Sequence, residues 1–282
     1  MGPEHFEFIR ALLKDRTGLV VTREKMYLLE ARLLPLARAH GCKTLEDLID
    51  LCRVKRDESV AVAICEAMNT HESLFFRDNA PFELFKDSIV PELLERRAAH
   101  KSFRVWCAAC SSGQEPYSLA MVLDEMSAKL QGWRADIVAT DISHAVLKRA
   151  AEGLYTQFEV QRGLPVQHLV KHFTQEGENW RLSPRIRERV KFRHFNLLGN
   201  ARALGAFDVV FCRNVLIYFD VPTKTQVMSS IADVLADDGV LFLGSAESTM
   251  GVTEKFWPVE AGRGVYKHTD GPGCLVEAAS GS

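Results

Sequence analysis

Residue types that could bind a nucleotide-like ligand are concentrated in the stretch from Arg104 to Ser118. Its β-branched and aromatic start predicts a strand, the small residues that follow predict a tight loop, and Pro116 predicts the first turn of a helix. In an open α/β sheet, ligands bind where the carboxyl ends of strands meet the amides of the following helices. The stretch therefore predicts a ligand site.

One glycine and one acidic residue indicate which class of nucleotide-like ligand the site could bind. A dinucleotide fold requires G-x-G-x-x-G to bring a pyrophosphate onto the backbone, and this loop supplies only Gly113. Asp141 follows the second predicted strand, where a carboxylate can accept both hydroxyls of a ribose. Together they favour adenosine without a diphosphate. Taken singly, Gly113 could be a plain turn residue and Asp141 a cap for the helix that begins near Ser143.

Two other pairs have spacings that occur in redox and metal sites. Cys107 and Cys110 have C-x-x-C spacing, but they end a strand among alanines, so packing of small residues is favoured over redox chemistry. His168 and His172 lie one helical turn apart without an evident third ligand, so a solvated helix face is favoured over a metal site. The sequence predicts no bound metal.

The first 98 residues contain only helical signals. Apolar residues recur there at intervals of three and four, which predicts an all-α N-terminal domain over 1–75 and linker helices over 76–98. Thr44 followed by Asp47 predicts a helix start. Pro35 predicts a kink or a break in an otherwise helical pattern.

After Lys101, short β-branched and aromatic runs alternate with helical stretches. This alternation predicts an α/β domain over 99–268 with a doubly wound, mostly parallel sheet. The predicted strands are Phe103–Ala108, Asp136–Thr140, Val190–Phe195, Phe207–Cys212 and Gly239–Gly244. The predicted helices are Pro116–Leu130, His144–Glu152 and Pro222–Ala236, with Gly239 just past the end of the last.

Two segments do not follow the alternation. Residues 154–188 contain a turn-rich piece and an amphipathic stretch, which predicts a small β-rich insertion in the α/β domain. Residues 269–282 are rich in Gly, Ala and Ser, which predicts a disordered tail.

The composition is that of an ordinary globular protein: 282 residues, 47% hydrophobic and 26% charged. The 35 bases and 37 acids give a net charge of −2, so bulk electrostatics favours neither nucleic acid nor membrane binding. The seven cysteines are odd in number and scattered, and the first residues lack the apolar core of a signal peptide, which favours a cytoplasmic protein. No apolar run approaches the ~20 residues that span a bilayer, so membrane insertion is not predicted.

A series of longer motifs lies in order along the chain. They are Asn69–Arg77, Ser112–Ser118, Ala139–Ile142, Phe195–Leu198, Phe207–Asp220 and Gly244–Ser248. The series resembles the CheR-type chemoreceptor glutamate methyltransferases from residue 1 to about 268. The segment Cys-Arg-Asn-Val-x-Ile-Tyr-Phe, which begins at Cys212, is close to diagnostic of that family.

The resemblance implies S-adenosylmethionine as the methyl donor and S-adenosylhomocysteine as the product. It also implies a set of cofactor-binding residues, carried over motif by motif. These are His71, Ser73, Arg77, Glu115, Asp141, Asn196, Leu197, Cys212, Arg213 and Asn214. The family often has Asn where His71 stands and Thr where Ser73 stands. Ser73 keeps the hydroxyl, whereas the imidazole departs from the pattern.

The implied reaction is O-methylation of receptor glutamates. A glutamate with a pKa of ~4.3 is already ionised at neutral pH, so no general base is needed and the enzyme must position and desolvate it. Arg213 could orient the incoming carboxylate through paired donors, and Tyr218 could add a hydroxyl donor. The alternatives are a structural salt bridge for Arg213 and a core ring for Tyr218.

The implied partners are the cytoplasmic helical domains of methyl-accepting chemotaxis receptors. Their methylated helices are acidic around the target glutamates, so bases on the N-terminal helices, such as Arg32 and Arg38, suit docking. A plain solvated surface would look similar. Some members of the family also bind a receptor C-terminal peptide as an added strand, using a longer glycine-rich loop in the insertion. Here residues 173–182 contain only Gly177 and predict a tight hairpin, so peptide binding is not expected.

Two other functions stay open at this stage. One is a non-catalytic regulator that binds an adenosyl ligand with the same fold, and the other is a nicotinamide oxidoreductase. Calorimetry with S-adenosylhomocysteine and NAD separates the oxidoreductase from the other two. Methyl transfer to receptor-containing membranes separates the enzyme from the regulator.

Overall fold

The computed structural model describes residues 1–259 and 262–268. The chain divides into two compact units. The first consists of Met1–Thr70 with Tyr218–Thr223, and the second of His71–Ile217 with the described residues from Lys224 onward. The tail predicted to be disordered, 269–282, lies outside the described residues.

The first unit is helical, as predicted. Its helices are α1 (Pro3–Thr17), α2 (Met26–Ala39), α3 (Leu45–Arg53) and α4 (Glu58–Met68). Phe6, Leu33, Leu48 and Ile64, one from each helix, share one buried core. Helices of this length are stabilised in water mainly by burying the apolar side chains on one face of each helix.

Two local predictions in this unit had opposite outcomes. The helix start at Thr44 is confirmed: Asp47 N donates to Thr44 Oγ1 at 3.1 Å, and Thr44 N donates to Asp47 Oδ2 at 2.9 Å. Of the kink or break predicted at Pro35, the break is wrong, because α2 continues to Ala39, and the kink stays a prediction. Leu33 before Pro35 and Ala37 after it are both buried. Packing on both sides offsets the ~3 kcal/mol that an interior proline costs a helix.

The second unit combines the predicted sheet, its helices and the insertion. Its helices are α5 (Ala80–Leu84), α6 (Val90–Arg96), α7 (Gln114–Glu125), α8 (His144–Glu152), α9 (Gln157–Gln161), α10 (Val166–His172) and α11 (Pro184–Arg187), and it includes all but the first three residues of α12 (Val221–Ala232). Its strands are β1 (Ser102–Ala108), β2 (Arg134–Asp141), β3 (Leu154–Thr156), β4 (Phe173–Glu176), β5 (Asn179–Leu182), β6 (Val190–His194), β7 (Phe207–Cys212), β8 (Leu235–Leu243), β9 (Phe256–Pro258) and β10 (Val265–His268). None of the helices in the described residues is long and apolar enough to cross a membrane.

Among the described residues, seven strands form the main sheet in the order β6-β2-β1-β7-β8-β10-β9. The pairs β6–β2, β2–β1, β1–β7 and β7–β8 are parallel, and β10 is antiparallel to both of its neighbours. The predicted doubly wound, mostly parallel sheet is confirmed. Strand order reverses at β1, which has β2 on one side and β7 on the other. The crevice at such a switch point is where α/β sheets bind ligands.

The end of the sheet differs from the prediction. Helix α12 ends at Ala232, four residues early, and Gly239 lies inside β8 instead of after a helix. Leu235 already pairs with Phe207, and a register shift follows before the next pair, Val209 with Val240. Strand pairing with β7 therefore overrides the helical pattern of these residues. Strands β9 and β10 were not predicted.

The insertion contains a second, antiparallel sheet in the order β3-β5-β4. Strands β4 and β5 are joined by the two residues Gly177 and Glu178, as expected for a tight hairpin. Helices α9 and α10 complete the insertion. The predicted β-rich insertion is confirmed.

Candidate functional site

Most of the predicted cofactor residues follow the carboxyl ends of neighbouring strands. Glu115 lies in the first turn of α7, directly after the β1 loop, and Asp141 is the last residue of β2. Asn196 and Leu197 follow β6, and Cys212 is the last residue of β7. Because these strands are parallel neighbours, the structure brings these residues to one edge of the sheet.

The loop between β1 and α7 has an unusual backbone. Ala109, Ser111 and Gly113 all have left-handed φ values, of 56°, 53° and 93°. A side chain at Gly113 would also be crowded, because its Cβ would lie 3.1 Å from the Tyr155 hydroxyl. The Ser111 hydroxyl is buried and lacks a hydrogen-bond partner in the described part of the chain. Such a group can bind a polar ligand at the loop.

Asp141 fixes this loop to the next helix. Its Oδ2 accepts a hydrogen bond from Ser111 N at 2.9 Å, and its Oδ1 accepts one from Ser143 N at 3.0 Å. The cap of α8 is Ser143, whose hydroxyl accepts from Val146 N at 3.2 Å. Each carboxylate oxygen can accept more than one hydrogen bond, so Asp141 retains capacity for ribose hydroxyls.

Arg213 and Glu115 form a buried ion pair. Arg213 Nη1 donates to Glu115 Oε2 at 3.0 Å, and Nη2 donates to the Arg77 carbonyl at 3.0 Å and to Asp78 Oδ2 at 2.7 Å. Only 1% of the Arg213 side chain is exposed. Burial raises the pKa of Glu115, and the Arg213 guanidinium opposes that rise. The pair joins the end of β7, the start of α7 and the segment before α5.

Three predicted residues before α5 have side chains without hydrogen bonds or ion pairs in the described part of the chain. His71, Ser73 and Arg77 are half-buried, and their side chains have no hydrogen bond or ion pair within residues 1–259 and 262–268. The Arg77 carbonyl accepts from Arg213 Nη2 at 3.0 Å, which places Arg77 beside the buried pair, and its positive charge acts to lower the pKa of Glu115. These side chains are therefore free to bind a ligand.

Sequence reasoning missed the role of Glu247. Its Oε2 accepts from Gly244 N at 2.7 Å and Asn214 N at 2.8 Å. Its Oε1 accepts from Val215 N at 2.9 Å and Ile217 N at 3.3 Å. The buried carboxylate thus holds the loop after β7, in which Asn214 has a left-handed φ of 59°. The signal in the sequence was an acid three residues after Gly244, the glycine that follows β8.

The remaining predicted residues have different surroundings. Asn196 Oδ1 accepts from Leu198 N at 3.0 Å, which forms a turn, and Leu197 is buried. Cys212 is fully buried, and burial raises the pKa of its thiol well above the ordinary value. Tyr218 belongs to the first unit, where its carbonyl accepts from Val20 N at 3.0 Å.

The cysteine and histidine pairs are both buried. Burial raises the pKa of Cys107 and of Cys110 well above ordinary values, so both thiols stay neutral at pH 7. The solvated face predicted for His168 and His172 is wrong, because their helix turns inward: His168 stacks on Phe76 at 4.8 Å. The described ranges contain no cluster of three or more His, Cys, Asp or Glu side chains that could bind a metal ion.

The polar groups of this edge fit an adenosyl ligand. Asp141 has free acceptor capacity, and the buried Ser111 hydroxyl has no hydrogen-bond partner in the described residues. The charge of Glu247 acts to raise the pKa of Glu115. A dinucleotide would instead need a glycine-rich cradle for its phosphates.

Comparison with protein families gives two matches. The model described as "CheR methyltransferase, SAM binding domain" matches residues 71–265. The model described as "CheR methyltransferase, all-alpha domain" matches residues 4–64. Together the two matches cover most of the chain.

Similar proteins are found in several bacteria. The chain is 38% identical over 268 residues to "Chemotaxis protein methyltransferase Cher2" of Pseudomonas putida, covering 94% of this chain and 97% of that protein. It is 39% identical over 264 residues to "Chemotaxis protein methyltransferase 1" of Pseudomonas aeruginosa, covering 92% and 96%. It is 37% identical over 268 residues to a protein of the same name from Vibrio cholerae, covering 94% and 96%.

Proposed function

This chain belongs to the CheR methyltransferase family, and we propose that it methylates glutamate side chains of chemotaxis receptors in the cytoplasm. Its SAM-binding domain spans residues 71–265. The names of its relatives support chemotaxis as the process. The glutamate substrate and the receptor partner are our proposal.

The unpartnered Arg77 beside the buried Glu115–Arg213 pair carries the proposal. Both terminal nitrogens of Arg213 donate to Glu115, Asp78 and the Arg77 carbonyl, so Arg213 helps to position the site, and only its buried Nε has no partner in the described residues. The Arg77 guanidinium has no partner among the described residues and can hold a carboxylate through two parallel donors. Arg77 thus takes the orienting role predicted for Arg213, and the hydroxyl donor predicted at Tyr218 stays a prediction.

The proposed reaction does not require the protein to transfer a proton. S-adenosylmethionine supplies a methyl group bonded to a positively charged sulfur. The substrate glutamate is already a carboxylate at neutral pH, so no side chain has to remove a proton. Arg77 and the neighbouring loops have to align the carboxylate and exclude water while opposite charges are neutralised.

The test is transfer of tritiated methyl to receptor-containing membranes, with binding of S-adenosylhomocysteine measured alongside. We expect transfer by the unsubstituted chain, and about a tenfold to hundredfold lower kcat/KM for Arg77→Gln. Arg134→Gln is the control, because Arg134 is 72% exposed at the start of β2. Binding without transfer would overturn the enzyme and support the non-catalytic regulator.

The proposal does not include the receptor C-terminal peptide. Strand β4 is a four-residue edge, and the two-residue turn at Gly177 leaves no loop to enclose a peptide. We expect a Kd of about 1 mM or weaker for the isolated peptide. Calorimetric titration measures it, and micromolar affinity would refute this part of the proposal.

A further inference from the structure

The insertion packs against the loop between β1 and α7. The Tyr155 hydroxyl, on β3, donates to the Ser112 carbonyl at 2.8 Å. The Tyr155 ring is 1% exposed and lies edge-on to Tyr117, with ring centroids 6.4 Å apart. Ser112 directly precedes Gly113 and the first turn of α7, so this hydrogen bond fixes the backbone that leads to Glu115.

The insertion also packs against the segment that carries His71, Ser73 and Arg77. Gly163 has φ +86°, and a Cβ there would lie 2.2 Å from the Phe75 carbonyl oxygen. The neighbouring Arg162 forms an ion pair with Glu72 at 3.0 Å. The turn after α9 therefore lies directly against the backbone of this segment.

An aromatic cluster joins these two contacts. Phe75 is fully buried, with its ring centroid 4.9 Å from Tyr155 and 5.7 Å from Phe173. Next to it, Phe76 stacks on His168 of α10. Buried edge-to-face aromatic pairs stabilise beyond their burial, so these rings resist relative movement.

We propose that the insertion is part of the scaffold of the cofactor site and that Tyr155 is a positioning residue for it. The inference rests on the proposed cofactor site. Tyr155 does not have to contact the cofactor, because it acts through the Ser112 carbonyl and through Phe75. Since linkage is reciprocal, a cofactor that orders these two loops also orders the insertion.

The first test compares Tyr155→Phe with Tyr117→Phe. Both tyrosines are buried, and each donates one hydrogen bond to a backbone carbonyl, Tyr117 to Ala150 of α8 at 2.7 Å. We expect similar losses of thermal stability. Only Tyr155→Phe should raise the Kd for S-adenosylhomocysteine, about three- to tenfold, the effect of one hydrogen bond. Its KM for S-adenosylmethionine should rise in parallel while kcat stays the same.

The second test compares Gly163→Ala with Gly177→Ala. Both glycines have left-handed φ values and lie in the insertion, but a Cβ at Gly177 would have no atom within 4 Å. We expect Gly163→Ala to raise the Kd at least about tenfold, because the turn must move away from Phe75. Gly177→Ala should bind normally. If Gly163→Ala does not fold, the tyrosine pair decides.

Hydrogen exchange supplies a readout that a purely structural role would not change. Saturating S-adenosylhomocysteine should slow exchange in residues 153–164 of the unsubstituted chain, and Tyr155→Phe should abolish that slowing. Equal affinity in all four variants would overturn this inference alone. A failure of the unsubstituted chain to bind S-adenosylhomocysteine would overturn the proposed function as well.

Discussion

Glu247 shows how one carboxylate can shape a binding loop without contacting a ligand. Each of its oxygens accepts two backbone N–H groups, which fixes Asn214 in a left-handed conformation next to Arg213. Hydrogen bonds to ionised acceptors are about twice as strong as neutral ones. The conformation of the loop after β7 is therefore stabilised largely by the charge of the Glu247 carboxylate.

We predict that Glu247→Gln weakens binding of S-adenosylhomocysteine about tenfold or more. The amide would direct an NH₂ group at two backbone N–H donors and leave them without an acceptor. Calorimetry measures the affinity. The control is Asp208→Asn, because Asp208 lies at the opposite end of β7 and accepts from Arg97 at 2.8 Å and from Arg104 N at 2.8 Å. An equal affinity loss in both variants would indicate general destabilisation and contradict the prediction.

We predict that Asp141→Asn also weakens binding of S-adenosylhomocysteine, by ~1.5–3 kcal/mol. Asparagine keeps one acceptor oxygen, so either Ser111 N or Ser143 N loses its partner, along with any ribose hydroxyl. Ser143→Ala is the control, since it removes the α8 cap and leaves Asp141 intact. It should lower the melting temperature with little change in affinity. Unchanged affinity in Asp141→Asn would remove Asp141 from the site.

The structure indicates that Arg213→Ala would affect the stability of the protein as well as methyl transfer. Because Arg213 is buried, its removal would leave Glu115 as an unpaired buried acid, and breaking such a pair costs about 3–5 kcal/mol. We therefore predict a lower melting temperature together with lost transfer. Thermal melts of Arg213→Ala and Arg77→Gln test this, because Arg77 has no ion pair to lose in the described residues. Equal melting temperatures would contradict it.

The sequence indicated the strand ends that carry the candidate site but not the contacts among its residues. The position of Asp141 at a strand end could be read from local pattern, whereas Glu115 was implied by the family resemblance. The role of Glu247 could not be read from local pattern, since it depends on contacts with residues 30 to 33 positions away. The burial of Arg213 likewise depends on Glu115, 98 positions away.

At the scale of elements, predictions held where local signals and packing agreed. The capping residues of α3 gave its observed start, and the β-branched and aromatic run of β7 gave its observed bounds. Pro35 and Gly239 misled because core packing and strand pairing overrode local preference. Strands β9 and β10 are only three and four residues long and depend on pairing with each other and with β8.

Helix α10 makes stability depend on pH. Burial lowers the pKa of His168 and of His172 below the ordinary value of 6.5. The charged groups around them are Lys86, Asp124, Glu125, Lys171 and Arg185. Because the unfolded chain binds more protons below pH ~6.5, stability should fall as pH falls through that value.

We predict that the melting temperature of the unsubstituted chain decreases between pH 7.5 and pH 5.5, and that His168→Gln with His172→Gln flattens this dependence. Each histidine contributes at most ~1.4 kcal/mol per pH unit. Scanning calorimetry over this range measures the effect. His100→Gln is the control, since His100 is exposed. If the melting temperature of the double variant depends on pH as steeply as that of the unsubstituted chain, other groups are responsible and the prediction is wrong.

At the scale of the whole molecule, the bases of the first 70 residues are balanced by acids, and several of them form ion pairs. Residues 1–70 contain 11 Lys or Arg and 11 Asp or Glu, so this segment has no net excess of either sign. Several of its bases are ion-paired: Lys14 with Asp220, Arg16 with Glu58, Arg23 with Glu7 and Arg53 with Glu4. Arg32 donates to the Met68 carbonyl at 2.5 Å, so its reversal would disturb the end of α4. Docking is better tested at exposed bases without partners in the described residues, such as Lys25 and Arg38.

We predict that Lys25→Glu with Arg38→Glu lowers kcat/KM for receptor methylation about tenfold at low salt and much less at 0.15 M. Exposed charges act over ~30 Å at 0.01 M salt but only ~8 Å at 0.15 M, and acidic receptor helices attract bases. Affinity for S-adenosylhomocysteine should not change. The control is Lys101→Glu with Lys129→Glu, which reverses two exposed lysines of the second unit. Equal slowing by both pairs would reflect net charge alone. Slowing by the first pair that persists at high salt would indicate misfolding instead of lost attraction and contradict the prediction.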